Sequence, residues 1–136
     1  MPLWAYMWSV ATGKGETLKP VVWVRSSKDD LKKFPRTAQS HIGFALKVAQ
    51  SGGKHPDAKP MKGFSGASVI EIVEDYDGDT YRAVYTVKFA EAIYVLHAFQ
   101  KKSKSGIATP KHDLVLIEER LKRAKELHGL RVHSKR

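Results

Sequence analysis

Arg82, Lys101, Lys102 and Lys104 could act together on a phosphate. Arg82 opens an apolar run at 81–88, Lys88 closes it, and the three lysines leave a second apolar run that starts near residue 93. A planar guanidinium fork suits the non-bridging oxygens of a phosphate. Lysines set close together depress one another's pKa, which makes one a candidate general base or acid. Cations at the ends of a strand pair point to a polyanion site.

The elements that must position these residues can be read from the pattern. Val, Ile, Tyr and Phe dominate both runs, as befits a pleated, mostly buried surface. The turn between them is placed at 89–92. Two antiparallel strands joined there bring the start of one beside the end of the other, so residue 82 should lie opposite residue 99 or so. Before them, 69–74 alternates as a strand, and Asp77-Gly78 reads as a hairpin turn. The aspartates at 75, 77 and 79 resemble a calcium loop, but Gly78 and Thr86 fall at the wrong positions.

Val21 to Val24 reads as a short buried strand. Ser26 or Ser27 can cap a first helix with Asp29 and Asp30 in its first turn, and Pro35 ends it. A second helix is expected over 36–50, with Ile42, Ala45, Leu46 and Ala49 on one face. Residues 54–68 read as a basic loop. Thr109-Pro110 should start a last helix, with Leu114, Ile117, Leu121 and Ala124 as its stripe. The expected class is α+β, in the order β-α-α-β-β-β-α, with an antiparallel sheet and helices packed on one face.

Composition bounds the partners. The 136 residues make one domain, and the net charge of +10 favours an acidic partner such as nucleic acid. There is no cysteine, hence no disulfide or thiolate metal site. No run is long enough to span a membrane, and the apolar start lacks a basic region that would mark a signal peptide. A cytoplasmic protein is expected. Residues 1–18 read as an N-terminal extension, 19–128 as the domain and 129–136 as a basic tail. Gly13-Lys14 lacks the upstream glycine and the following hydroxyl of a phosphate loop.

Residues 19–24, 60–64, 81–89, 97–104 and 108–112 together resemble the RelE/ParE toxin superfamily, and within it the phage-derived, HigB-like branch. The resemblance covers roughly 19–127. It implies the RelE-like fold and a type II toxin. The implied activity is metal-independent endoribonuclease cleavage of messenger RNA, often at the ribosome, without a cofactor. The implied partner is a helix-turn-helix antitoxin. It further implies that Arg82 stabilises charge in the reaction and that Lys101 and Lys102 supply the basic groups of the fourth strand. Some relatives carry lysines on the strand where this chain has Glu71 and Glu74. Glu71 is therefore the alternative base, as in relatives with a Glu–Arg–His set. Lys62, Lys88, Lys104 and Lys111 are the expected RNA contacts.

Other readings of the same residues are plainer. Arg82 can pair with an aspartate of the 75–79 turn, and the lysines can be a solvated strand end guarding an edge. His41 reads as a boundary residue, His97 as a satisfied core histidine and His112 as exposed. At the level of function, a gyrase-directed toxin of the same fold or a catalytically inactive, phage-derived binding module compete with the ribonuclease.

Overall fold

The computed structural model describes residues 18–64, 68–101 and 109–134. The extension at 1–18, save Leu18, and the lysines at 102 and 104 thus lie outside the described residues. The elements are β1 (Val21–Trp23), α1 (Ser27–Lys32), α2 (Arg36–Gln50), β2 (Ala58–Pro60), β3 (Val69–Tyr76), β4 (Asp79–Thr86), β5 (Ile93–Lys101) and α3 (Lys111–Ser134). The class is α+β, as expected.

Three features correct the expected architecture. First, the five strands form a mixed sheet, β1-β5-β4-β3-β2, because β1 pairs with β5 in parallel (Val21 opposite Ile93) while the other pairs are antiparallel. Second, 58–60 within the expected loop forms an edge strand against β3. Its Pro60 is tolerated there because an edge position need not donate to the ladder. Third, the helices cover both faces. Leu31 of α1 and Ala38, Ile42, Ala45, Leu46 and Ala49 of α2 pack with Ile70, Ile72, Ala83, Tyr85, Ile93 and Val95. Ile117 and Ala124 of α3 pack with Val69, Val84, Tyr94, Leu96 and Phe99 on the other side, with Leu114 and Leu121 against them. The strands are apolar on both faces and so need two covers.

The β3–β4 hairpin turns at Asp77-Gly78, both with positive φ (52° and 84°), which is the primed turn that matches the twist of the strands. Asp75 accepts a hydrogen bond from the Thr80 hydroxyl at 2.8 Å beside it. The second helix spans the residues expected of it. Ser26 sits at the N-cap of α1 without capping it. Its hydroxyl donates instead to Asp30 Oδ2 at 2.8 Å, and Ser27 donates to the Val95 carbonyl at 3.1 Å. The last helix starts at Lys111, one residue later than Pro110, and continues through 129–134, the stretch read as a tail.

The β4–β5 ladder carries an irregularity that decides which residues share a face. Val84 pairs with His97, but Tyr85 pairs with Val95, so Leu96 is an extra residue. In such a β-bulge two residues oppose one, and the alternation of side chains resets. Ile93 and Val95 face α2 before the bulge, whereas Phe99 faces α3 after it. Strict alternation would have sent 97, 99 and 101 to the α2 side.

Candidate functional site

Arg82 lies on β4 opposite Phe99 of β5 and Val73 of β3, so it points to the α3 side of the sheet. Its side chain is 9% exposed, and Nη1 reaches Glu71 Oε2 at 3.4 Å. Glu71 is two positions along β3 from Val73, hence on the same face, and is 21% exposed. Arg82 is thus paired with a strand carboxylate, Glu71. Lys101 pairs with Thr80 at the far end of the same strands, and the bulge puts it on the face that carries Arg82. Arg82, Glu71 and Lys101 thus share one face of the sheet by register, with Lys101 toward the Thr80 end.

Among the described residues, the expected RNA contacts Lys62 and Lys88 lie away from Lys101. Lys62 and Lys88 are exposed. They belong to the opposite sheet end from Lys101, where Met61 bonds Val69 and Val87 bonds Ser68 through the backbone. Six residues of strand separate that end from Thr80, or about 20 Å at the usual rise. Lys111 is exposed at the start of α3, two residues from Asp113. Lys102 and Lys104 are outside the described residues.

His97 is the satisfied core histidine that the sequence suggests. It is buried, and its ring stacks on Phe99 with centroids 4.9 Å apart. Nε2 lies 2.7 Å from Asp113 Oδ1, and Nδ1 lies 3.0 Å from Arg120 Nη1. A guanidinium only donates, so Nδ1 must accept; Nε2 then carries the proton and donates to Asp113. Both nitrogens are committed, which makes His97 a neutral, orienting group. Burial lowers its pKa below 6.5, the Asp113 hydrogen bond opposes that and Arg120 adds to it. Arg120 also donates from Nη1 to the Leu96 carbonyl at 3.1 Å and from Nη2 to the Ser26 hydroxyl at 3.0 Å. The chain Asp30–Ser26–Arg120–His97–Asp113 ties α1, the bulge and α3 together. His112 is exposed as expected, and His41 belongs to another cluster.

A pH prediction follows. Unfolded, His97 takes a proton at its ordinary pKa of 6.5; folded, it does so only at lower pH. Between those two values the unfolded chain binds more protons, so stability falls as pH drops below 6.5 toward the folded pKa. Thermal melts from pH 7.5 to 5 should show this loss, and His97→Gln should remove that part of the slope. An unchanged slope in the variant would show that other groups cause it.

Residues 29–122 match the family described as "Phage derived protein Gp49-like (DUF891)". No curated protein gives a significant match. Among solved structures, the toxin–antitoxin complex RelBE2 from Mycobacterium tuberculosis is similar at 18% identity, over 64% of this chain and 95% of that one, with a TM-score of 0.36. No helix among the described residues is long and apolar enough to cross a membrane.

Proposed function

The chain belongs to the phage-derived Gp49-like family, and we propose that it is the toxin of a type II toxin–antitoxin pair, an endoribonuclease that cleaves messenger RNA without a metal. The observation that carries this reading is the Arg82–Glu71 pair on the sheet face that also carries Lys101. In the proposed reaction the 2′-oxygen attacks the neighbouring phosphorus and the bond to the 5′-oxygen breaks. The products are a 2′,3′-cyclic phosphate and a free 5′-hydroxyl. Three groups are needed. Glu71, 3.4 Å from Arg82, is the base that takes the 2′-hydroxyl proton. Arg82 turns its fork to the non-bridging oxygens and stabilises their growing charge. Lys101, or Lys102 beyond it, protonates the departing 5′-oxygen. The exposed Lys62, Lys88 and Lys111, with Lys104, hold the flanking phosphates of a strand longer than one nucleotide.

The proposed partners are messenger RNA on the ribosome and a co-encoded helix-turn-helix antitoxin, and the proposed location is the cytoplasm. A net charge of +10 suits both an RNA and an acidic inhibitor laid over the cationic face. The test is brief induction followed by primer extension on cellular transcripts. New 5′ ends within minutes, absent when the neighbouring gene is co-expressed, are the expected result. Arrest with intact transcripts and damaged DNA would favour a gyrase-directed toxin. No arrest at all would favour an inactive binding module.

A further inference from the structure

We propose that His41, His55 and Asp57, with Glu74 behind them, form a binding site for a divalent transition-metal ion of the Zn²⁺ class. His41 is on α2, His55 and Asp57 are on the connection to β2, and Glu74 is on β3. One ring nitrogen of each histidine and one Asp57 oxygen all lie within 4.8 Å of one another. His41 Nε2 is 3.0 Å from Asp57 Oδ2; His55 Nδ1 accepts the Asp57 backbone N–H at 3.0 Å, which leaves His55 Nε2 for an ion. The two rings meet edge-on at 5.2 Å, and Phe44, one turn along α2, packs edge-on against His55 at 5.6 Å. Side-chain rotations close such a set onto an ion with bonds of about 2.0–2.2 Å.

The hydrogen bonding of His41 points the same way. Nε2 faces Asp57 while Nδ1 contacts Glu74. A neutral imidazole has one N–H, so it can satisfy only one of these carboxylates. An ion on Nε2 resolves this. Nδ1–H donates to Glu74, while the Nε2 lone pair and Asp57 both go to the metal. That is the carboxylate–histidine–metal arrangement, in which the outer carboxylate fixes the ring and its tautomer. Two imidazoles and one carboxylate, without thiolate, select Zn²⁺ over Ca²⁺ or Mg²⁺, which prefer all-oxygen shells. Asp57 is 60% exposed, so water can complete the shell.

The site is separate from the cationic one. Glu74 lies on the α2 side with Ile70 and Ile72, whereas Glu71 and Arg82 lie on the α3 side. The site joins three segments, α2, the connection after it and β3, so the ion acts as a clip. It fastens the connection after α2 to the helix before it and to the strand beside it.

Calorimetric titration of the metal-stripped full chain with ZnCl₂ alone tests the proposal, with Co²⁺ absorption as a spectroscopic reporter. One saturable site per chain is expected, with a raised melting temperature. His55→Gln and Asp57→Asn should each weaken binding by at least about tenfold, and Glu74→Gln, a positioning change, by about 10- to 100-fold with the stoichiometry kept. His112→Gln should change nothing. Absence of saturable one-to-one binding would overturn the proposal. Binding undiminished in His55→Gln, in a chain still folded by circular dichroism, would overturn it equally.

Discussion

Arg82→Ala should lower the RNA cleavage rate by about 10²- to 10³-fold, which is the usual loss when one donor aimed at transition-state charge is removed. RNA binding should fall far less, because a group that acts on developing charge contributes mainly in the transition state. Arg82→Lys should recover only a small part, since a point charge cannot make the paired contacts of the fork. The stability cost must be separated from the chemical one. Arg82 is almost fully buried and its partner Glu71 only partly exposed, so truncation leaves a carboxylate with a lost counter-charge. Rates should therefore be taken per folded molecule, with circular dichroism and urea titration on each variant. Glu71→Gln supplies the second arm. If Glu71 is the base, that change removes cleavage in a chain that stays folded. If cleavage survives both changes, the ion pair is a strand-to-strand fastener and the catalytic assignment fails.

Much of this arrangement was readable from local pattern. Periodicity found α2, and Asp77-Gly78 located the primed turn of the β3–β4 hairpin. Hairpin pairing placed Arg82 opposite residue 99. Other features have no local signal. The parallel pairing of β1 with β5 joins residues about seventy apart, and nothing in 21–24 encodes a partner. The two-sided cover went unseen because apolar runs say that a strand is buried but not by what. The Leu96 bulge leaves no break in the hydrophobic pattern, since 93–99 is apolar throughout save for His97. It was the bulge, and not the hairpin alone, that set Lys101 on the face of Arg82. The inner stripe of α3 was half legible. Ile117 and Ala124 gave it away, but Asp113, Arg120 and His128 share that stripe at spacings of three and four. A hydrophobicity template counts those as solvent-facing. His128 in fact packs on Phe89 at 4.2 Å and meets Tyr94 Oη at 3.0 Å.

The second large effect concerns the residue that holds the bulge. Arg120→Met should destabilise the fold by about 2–6 kcal/mol, since two buried acceptors each lose a donor at a cost of about 1–3 kcal/mol. The reasoning begins with the backbone. An extra residue in a bulge is left out of the ladder, and the Leu96 carbonyl is where Arg120 Nη1 donates. The same guanidinium fills the acceptor on His97 and the Ser26 hydroxyl. Methionine matches the stem but none of the donors, so a carbonyl and a ring nitrogen lose their bonds in a site 8% exposed. Arg120→Lys should be nearly as damaging, because one ammonium cannot reach three acceptors spread over α1 and β5. A further consequence has a definite sign. Arg120 helps lower the His97 pKa, so its removal raises that pKa beside Asp113 and shrinks the loss of stability below pH 6.5. Urea titrations at pH 7.5 and 5.5 measure both quantities at once. A destabilisation under about 1 kcal/mol at pH 7.5 would mean that the bulge holds without its guanidinium. A normal fold that nonetheless cleaves RNA slowly would mean instead that Arg120 acts through register, by keeping Lys101 on the side of the sheet where Arg82 waits.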